Sequence, residues 1–267
     1  MTSRPANRTA NGTANGTDSS GSGDIDRTLE LLWDTGPRPS RGPKPGLSVD
    51  RIVDTAIHIA DAEGLDAVSM RRVATELGTG AMSLYRYVPG KAELLDLMLD
   101  RVRFPERPDG DTGTDSWRAA LESAARDALA VHRRHPWLLR VNQSRPLLGP
   151  RALATLEHLL GRIRPMGLPD PELVSTVVMI DGYVVGAART QVHQEEAARS
   201  TGLSDAEFYG AQVPALEKAM ATGAYPTLAS LSPDTFTSTA GFDHFEFGLG
   251  RILDGLEVLV QQRGEAG

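Results

Sequence analysis

Apolar residues recur at helical spacing between residues 48 and 102. After Ser69, for example, the apolar positions follow an i, i+3, i+4, i+7 pattern, which places them on one face of a helix. Ser48, which can cap a helix, precedes the first segment, and glycines or Pro89-Gly90 separate each segment from the next. The pattern predicts four consecutive helices over residues 48–64, 69–78, 80–88 and 91–102.

The chain after residue 104 carries further helical patterns and no alternating strand pattern. The predicted helices lie at about residues 116–135, 137–144, 150–165, 171–194, 204–222 and 241–262. We therefore predict an all-α protein, with a four-helix head at residues 47–103 and a larger helical-bundle domain at residues 104–267.

The third predicted helix of the head has two different faces. A helical wheel puts Ala81, Leu84 and Val88 on the buried side with Tyr85 at its edge, and Met82, Ser83 and Arg86 opposite with Tyr87 on the flank. A helix this short is unstable alone, so packing of the buried side must hold it, and the other face is left for a partner. Two short helices around a glycine-containing turn are typical of a helix-turn-helix motif, whose second helix enters the DNA major groove.

The residues before the head differ in composition. Residues 1–35 begin with a tract rich in Asn, Gly, Thr and Ser, and we predict a mostly disordered extension. Within it, DIDRTLELLW equally allows a short docked helix. Residues 36–46, GPRPSRGPKPG, form a basic Pro/Gly-rich arm, which is either a solvated linker or an arm that contacts a DNA minor groove through Arg41 and Lys44.

Charge and cysteine content limit the classes of partner. The net charge is −7, but residues 38–103 carry ten basic and nine acidic residues, so the head is compatible with DNA binding through a local patch. The absence of cysteine excludes disulfides and thiolate metal sites. The chain shows no hydrophobic signal segment and no apolar run suited to a bilayer, so we expect a cytoplasmic protein with no membrane partner.

Lys91 lies in the first turn of the fourth predicted helix, where the helix dipole disfavours a cation. A phosphate bound at this terminus would reverse the effect, because the backbone amides and Lys91 would then both face an anion. The alternative is an exposed lysine without a specific role.

The stretch LGTGAMSLYRYVPGKAELL, residues 77–95, resembles the DNA-binding head of the TetR family of bacterial transcriptional regulators. The similarity covers residues 47–100 closely. The body resembles the family's tetracycline-repressor-type ligand domain more loosely, through RHPWLL, DGYVVGA and FDHFEFGLGRILDGLE. Gly80 departs from the family pattern, in which a serine cap is common, so one side-chain phosphate contact is lost.

The resemblance implies that the head contacts double-stranded operator DNA. Phosphates would be held by Ser69, Ser83, Tyr85, Tyr87 and Lys91; bases would be approached by Arg71, Ala81 and Met82; and Arg86 could reach either.

The resemblance also implies a homodimer, whose two heads would contact half-sites about one DNA turn apart. The implied interface residues are Val177, Val184, Ala188, Phe245, Leu249, Ile252 and Leu256. Part of this apolar stripe must nevertheless be internal core.

By the same resemblance, the middle helices would enclose a small-molecule effector of unknown identity. Candidate lining residues are His132, Trp137, Asn142, Gln143, Met179 and Tyr183, and for each a core role is the alternative. Asp181 interrupts an apolar run and is open to ligand contact or to pairing across the dimer. His132 and His135 have a spacing that could chelate a metal, but no third ligand is evident, so we predict no metal and no cofactor.

These observations predict a TetR-like transcriptional regulator, a repressor that binds a palindromic operator as a homodimer and is released by a small-molecule effector. The alternative is a helix-turn-helix regulator controlled by a protein partner, without a small-molecule pocket. No nucleophile-base-acid set, phosphate-binding glycine loop or metal cluster stands out, so we do not expect an enzyme.

Overall fold

The computed structural model describes residues 18–33, 46–104, 116–232 and 242–265. These residues are helical, apart from loops, short 3₁₀ turns and one isolated bridge between Ser19 and Asn142, and the predicted all-α fold is confirmed. The helices are α1 (Ile25–Trp33), α2 (Val49–Glu63), α3 (Met70–Glu76), α4 (Ala81–Leu84), α5 (Lys91–Arg103), α6 (Trp117–Arg134), α7 (Pro150–Ile163), α8 (Asp170–Thr201), α9 (Asp205–Gly210), α10 (Val213–Met220), α11 (Pro226–Ala229) and α12 (His244–Glu265).

The chain divides into two compact units. The first contains the residues up to Met98 together with Arg140–Leu147, and the second contains Leu99–Leu139 and the residues from Leu148 onward. The division falls inside α5, whereas the sequence prediction put the domain boundary after residue 103. Residues 140–147 belong to the first unit although they follow α6 in the chain.

The first unit is built on α2, α3 and α4. Ser48 and Ser69 cap α2 and α3, each accepting a hydrogen bond from the amide three residues later, and the cap at Ser48 is the one that the sequence predicts. The apolar face of α2, including Ile52 and Ile59, is fully buried. After α3 the chain turns at Gly78, whose φ of 66° suits a residue without a side chain.

The third helix of the head is shorter than predicted. Regular helix ends at Leu84, and residues 85–87 form a turn in which the Tyr87 and Val88 amides both donate to the Leu84 carbonyl. The side chains of Leu84 and Val88 are both 0% exposed. Burial of these two side chains therefore holds the segment in place, as the wheel predicts, while the helix itself contributes one turn.

The expectation that residues 1–35 are mostly disordered is wrong for residues 18–33. This segment contains α1, whose Thr28 and Leu32 are buried, so the docked-helix alternative is correct. The physical reason is a set of hydrogen bonds that Ser20 and Asp24, just before α1, donate to carboxylates of α5, and these polar residues give no apolar signal in the sequence. Residues 1–17 and the arm residues Arg41 and Lys44 lie outside the described residues, so the two interpretations of the arm stay open.

The second unit packs α6, α7, α8 and α12 around one apolar core, which includes Leu121, Ile163, Leu173, Leu249 and Leu253. Helix α8 extends to Thr201, beyond the predicted end at residue 194, and stops at Gly202, whose φ is 70°. No residue of α9, α10 or α11 is buried.

Two predicted helices of the body are wrong. In place of a helix at residues 137–144 the chain forms a 3₁₀ turn, Pro136–Arg140, and then a turn closed by the Asn142 side chain, which accepts from the amide and hydroxyl of Ser144. The predicted helix at residues 204–222 is divided into α9 and α10, because Pro214 at the start of α10 has no amide hydrogen to continue the α9 ladder.

Helix α8 is the one helix among the described residues that is long and apolar enough to cross a membrane by length and composition alone. The expectation that no run meets this criterion is corrected to that extent. The observation is weak evidence for a membrane span, because a core helix of a soluble protein passes the same test.

Candidate nucleic-acid interface and effector site

The outer face of α4 is open to solvent. Met82 is 77% exposed, and Tyr85 and Arg86 are exposed beside it. Ala81, Ser83 and Tyr87 are half-buried at the margins of this face. The face thus presents an apolar side chain, a guanidinium and phenol hydroxyls together, which is a composition that can meet both base edges and phosphates.

Two adjacent arginines at the start of α3 have different environments. The Arg72 guanidinium bridges Glu63 of α2 and Glu76 of its own helix, at 2.6 and 2.7 Å. The hydrogen bond that Arg72 donates to Glu63, the largest cause, and the one that it donates to Glu76 raise the pKa of Arg72. Arg71 is exposed and makes no ion pair within the part of the chain that the structure describes, so it can still pair with a base.

Ser69 is also exposed at the start of α3. Its hydroxyl oxygen accepts the Arg72 amide at 3.1 Å and so caps the helix. The hydroxyl hydrogen can still donate to a phosphate, so the capping role and the predicted contact are compatible.

Lys91 has a partner that the sequence interpretation did not foresee. Its Nζ lies 3.2 Å from Oδ2 of Asp18, in the segment that precedes α1. Neither sequence alternative, a phosphate contact or an exposed lysine without a role, included a carboxylate from the same chain.

His132 is the most unusual of the predicted effector residues. It is only 3% exposed, and its Nδ1 atom has no hydrogen-bond partner among the described residues. Burial, with a smaller contribution from the Arg103 cation, lowers the pKa of His132 to about 4. The imidazole is therefore neutral at physiological pH and has one ring nitrogen available to a ligand.

Asp181 pairs within its own chain. Its carboxylate accepts a hydrogen bond from Arg103 at 2.5 Å. The Arg103 cation lowers the pKa of His132, and the Asp181 anion raises it. Pairing across a dimer, which the sequence left open, is not needed to explain this acidic residue in an apolar run.

The other predicted effector residues are scattered. Trp137 is buried, with the His135 ring 6.3 Å away edge-on, and Met179 is exposed on α8. Asn142 lies in the first unit, where its side-chain oxygen accepts the hydrogen bonds that close a turn. Gln143 is half-buried beside it in the same unit.

Tyr183 borders an open groove of about 890 Å³ between α8 and the start of α12. Its hydroxyl donates to the carbonyls of His244 and Phe245, and its ring stacks on Phe245. A side chain at Gly248 would collide with the hydroxyl. Tyr183 therefore joins the two helices and also forms one wall of the groove.

Sequence reasoning missed most of the groove's polar lining. Thr190, Gln191 and Gln194 follow Tyr183 along α8, and Asp243 and His244 face them from the start of α12. The main sequence signal at this groove is the pair of small residues Gly182 and Gly186, which line it and leave space beside α8. No group of three or more His, Cys, Asp or Glu suited to a metal occurs in the described ranges.

The predicted dimer contacts differ in burial. Five of the seven residues are buried in the core of their own chain and offer little surface to a second subunit: Val184, Ala188, Phe245, Leu249 and Leu256. Val177 and Ile252 are half-buried at the edge of that core. The large apolar residues that α8 and α12 do expose are Val174, Val178, Met179, Phe247 and Val258.

Both parts of the chain match family models. Residues 52–98 match "Bacterial regulatory proteins, tetR family", and residues 108–260 match "Tetracyclin repressor-like, C-terminal domain". The chain is 67% identical over 266 residues to the HTH-type transcriptional repressor DrrR1 of Streptomyces coeruleorubidus, covering 99% of this chain and 98% of DrrR1.

Solved structures of ActR from Streptomyces coelicolor are also similar to this chain. The complex of ActR with (S)-DNPA aligns with a TM-score of 0.62 at 32% identity, over 80% of this chain and 98% of ActR. The complex with actinorhodin aligns with a TM-score of 0.58 at 31% identity, over 80% of this chain and 96% of ActR.

Proposed function

We propose that this chain, which belongs to the TetR family of bacterial transcriptional regulators, is a repressor that binds a palindromic operator as a homodimer and releases it on binding a small molecule. The family assignment favours a regulator over an enzyme. One observation carries the DNA-binding part of the proposal: the face of α4 that holds Met82 and Arg86 is exposed, while Leu84 and Val88 behind it are fully buried.

The proposed DNA contacts follow from exposure and chemistry. Arg71 and Arg86 offer guanidinium groups that can pair bidentately with guanine, and Met82 offers an apolar contact for a thymine methyl group. Ser69, Ser83, Tyr85, Tyr87 and Lys91 supply hydroxyl and ammonium donors for phosphates. Phosphate contacts set the register of the head, and base contacts supply the sequence preference.

A homodimer is needed because one head contacts too few bases for a specific site. We assign its interface to the exposed apolar residues of α8 and α12, among them Val178 and Phe247. A two-fold axis between these helices would place two heads on half-sites about 34 Å apart.

The effector part of the proposal is supported by ActR, whose structures contain (S)-DNPA and actinorhodin. Within this chain, the groove beside Tyr183 and the unsatisfied Nδ1 atom of His132 are the features suited to a ligand. The alternative, control by a protein partner with no pocket, has no comparable support.

The DNA-binding test begins with selection of a duplex from random or genomic fragments by the full-length wild-type protein. Arg86→Ala should weaken binding to the selected duplex by about tenfold or more, since a bidentate base contact contributes about 1–3 kcal/mol. Arg189→Ala, which removes the same charge from an exposed position on α8, should bind like wild type. Equal affinities of Arg86→Ala and wild type for the duplex would contradict the proposal that the exposed face with Met82 and Arg86 binds DNA.

The effector test adds a small molecule to the complex with the selected duplex. (S)-DNPA and actinorhodin are the first probes, because both occupy a similar protein. Release of the duplex by either would support a small-molecule effector, whereas the protein-partner alternative predicts release by neither.

A further inference from the structure

Residues 18–24, here named the N-terminal clamp, lie against the first turns of α5. The Ser20 hydroxyl donates to a carboxylate oxygen of Asp96 at 2.7 Å, and the Gly21 amide donates to the same carboxylate at 3.0 and 3.1 Å. The Asp24 amide donates to Glu93 at 3.0 Å. Both carboxylates are buried, so the clamp supplies the hydrogen bonds that they need away from water.

The other edge of the clamp pairs with residues 140–147 of the same unit. The Ser20 amide donates to the Asn142 carbonyl at 3.0 Å, and the Asn142 amide donates to the Asp18 carbonyl at 2.9 Å. Asp18 is therefore fixed by its backbone on one side of the clamp and by Lys91 on the other.

Two glycines allow the clamp to approach α5 closely. Gly21 has φ of 66°, a conformation that residues with side chains rarely adopt. A Cβ atom at Gly23 would collide with a Glu93 oxygen and would lie 3.0 Å from the Ala92 methyl group. Moving Glu93 aside would break its hydrogen bond with Asp24, so the site has a specific need for glycine.

The clamp brings an anion to the residue proposed to hold a DNA phosphate. Oδ2 of Asp18 is 3.2 Å from the Lys91 ammonium, in the first turn of α5, where the helix dipole also favours a negative charge. The carboxylate thus pairs with the same cation that would attract a phosphate.

We propose that Asp18 competes with operator phosphate for Lys91, so that the N-terminal clamp lowers the affinity of the head for DNA. The inference rests on the proposed DNA-binding function of Lys91. Because this ion pair is partly exposed, its effect is moderate: removing the Asp18 charge should tighten operator binding about two- to fivefold.

The test measures the affinity of the full chain for its selected duplex at several salt concentrations. Asp18→Asn should bind more tightly than wild type, whereas Asp26→Asn, which removes the same charge from an exposed position on α1, should not. The salt dependence of Asp18→Asn should also be steeper, by up to about one released ion, because Lys91 then neutralises a phosphate without giving up an intrachain partner.

A double-mutant cycle tests whether Asp18 acts through Lys91. In a Lys91→Ala background, Asp18→Asn should give no further gain in affinity. Gly23→Ala, which opposes docking of the clamp, should tighten binding as Asp18→Asn does, while Gly161→Ala on α7, where a Cβ meets no atom, should leave binding unchanged.

Two outcomes separate failure of this inference from failure of the proposed function. If Asp18→Asn matches Asp26→Asn in affinity and salt dependence while Arg86→Ala and Lys91→Ala bind weakly, the competition is overturned and the DNA-binding function stands. If the wild-type protein selects no duplex, both are overturned.

Discussion

Helix α4 carries an apolar stripe, and so do helices α8 and α12. The stripes differ in how well they predict which residues of the helix are exposed to solvent. In α4 and the turn after it, one narrow stripe, Leu84 and Val88, is buried, and Met82, Tyr85 and Arg86 are exposed. In α8 and α12 apolar residues occur on more than one face, and the most regular stripe is internal core, while Val178 and Phe247 stay outside. A short helix with one support therefore reveals its outer face, whereas a long helix in a bundle does not.

The largest expected effect contrasts the two faces of the α4 segment. Leu84→Ala should lower the free energy of unfolding by about 2–5 kcal/mol, because it leaves a cavity at a fully buried position. Met82→Ala should change it by less than about 0.5 kcal/mol, because Met82 is exposed, and should weaken DNA binding instead. Urea unfolding and duplex titration of both variants check this prediction. Destabilisation by Met82→Ala would show that Met82 packs against the rest of the protein and is not exposed for DNA.

A second prediction concerns His132, which is buried in the second unit and should make the free energy of unfolding depend on pH. Burial lowers the pKa of His132 to about 4 from 6.5, so between these pH values the unfolded chain binds a proton that the folded chain does not. Stability should be fully present above pH 6.5 and should decrease as the pH falls toward 4, by up to about 3 kcal/mol.

Unfolding measured in urea at a series of pH values checks the His132 prediction. His132→Leu should flatten the acid limb of the profile, whereas His58→Gln, at an exposed position on α2, should keep the wild-type slope. An unchanged slope in His132→Leu would assign the acid sensitivity to other groups.

The dimer interface proposed on the exposed apolar residues of α8 and α12 gives a third prediction. Val178 is 65% exposed, so Val178→Asp should leave the fold intact but place two like charges near each other at the two-fold interface. Dimerisation should weaken by about 2 kcal/mol or more, which sedimentation detects, with unchanged circular dichroism. Ser200→Asp, at an exposed position near the C-terminal end of α8 and away from Val178, should leave dimerisation unchanged.

The smallest expected effect separates Arg71 from Arg72. Arg72→Ala removes surface ion pairs with Glu63 and Glu76 and should lower the free energy of unfolding only slightly, because solvent screens these pairs. Arg71→Ala should leave stability unchanged and weaken DNA binding. Thermal unfolding and duplex titration of the two variants should give opposite patterns; the same pattern in both would remove the distinction between the two arginines.

Much of the head could be predicted from local sequence. Ser48 caps its helix as predicted, and Leu84 and Val88 are buried as the wheel requires. Such signals act over a few residues, since caps and helical faces depend on spacing within one helix. The groove beside Tyr183 was largely missed, because Gln191 and Gln194 are polar residues on a long helix and give no periodic signal.

By itself, the sequence determined the helical class of this protein, the family to which it belongs and the outer face of α4, because each depends on patterns that short segments carry. Only the tertiary structure decided which stripe of α8 and α12 is core, and that Asp18 faces Lys91 across 73 positions of sequence. Both depend on which distant segments meet, and a single aspartate or one more leucine in an apolar helix does not carry that information.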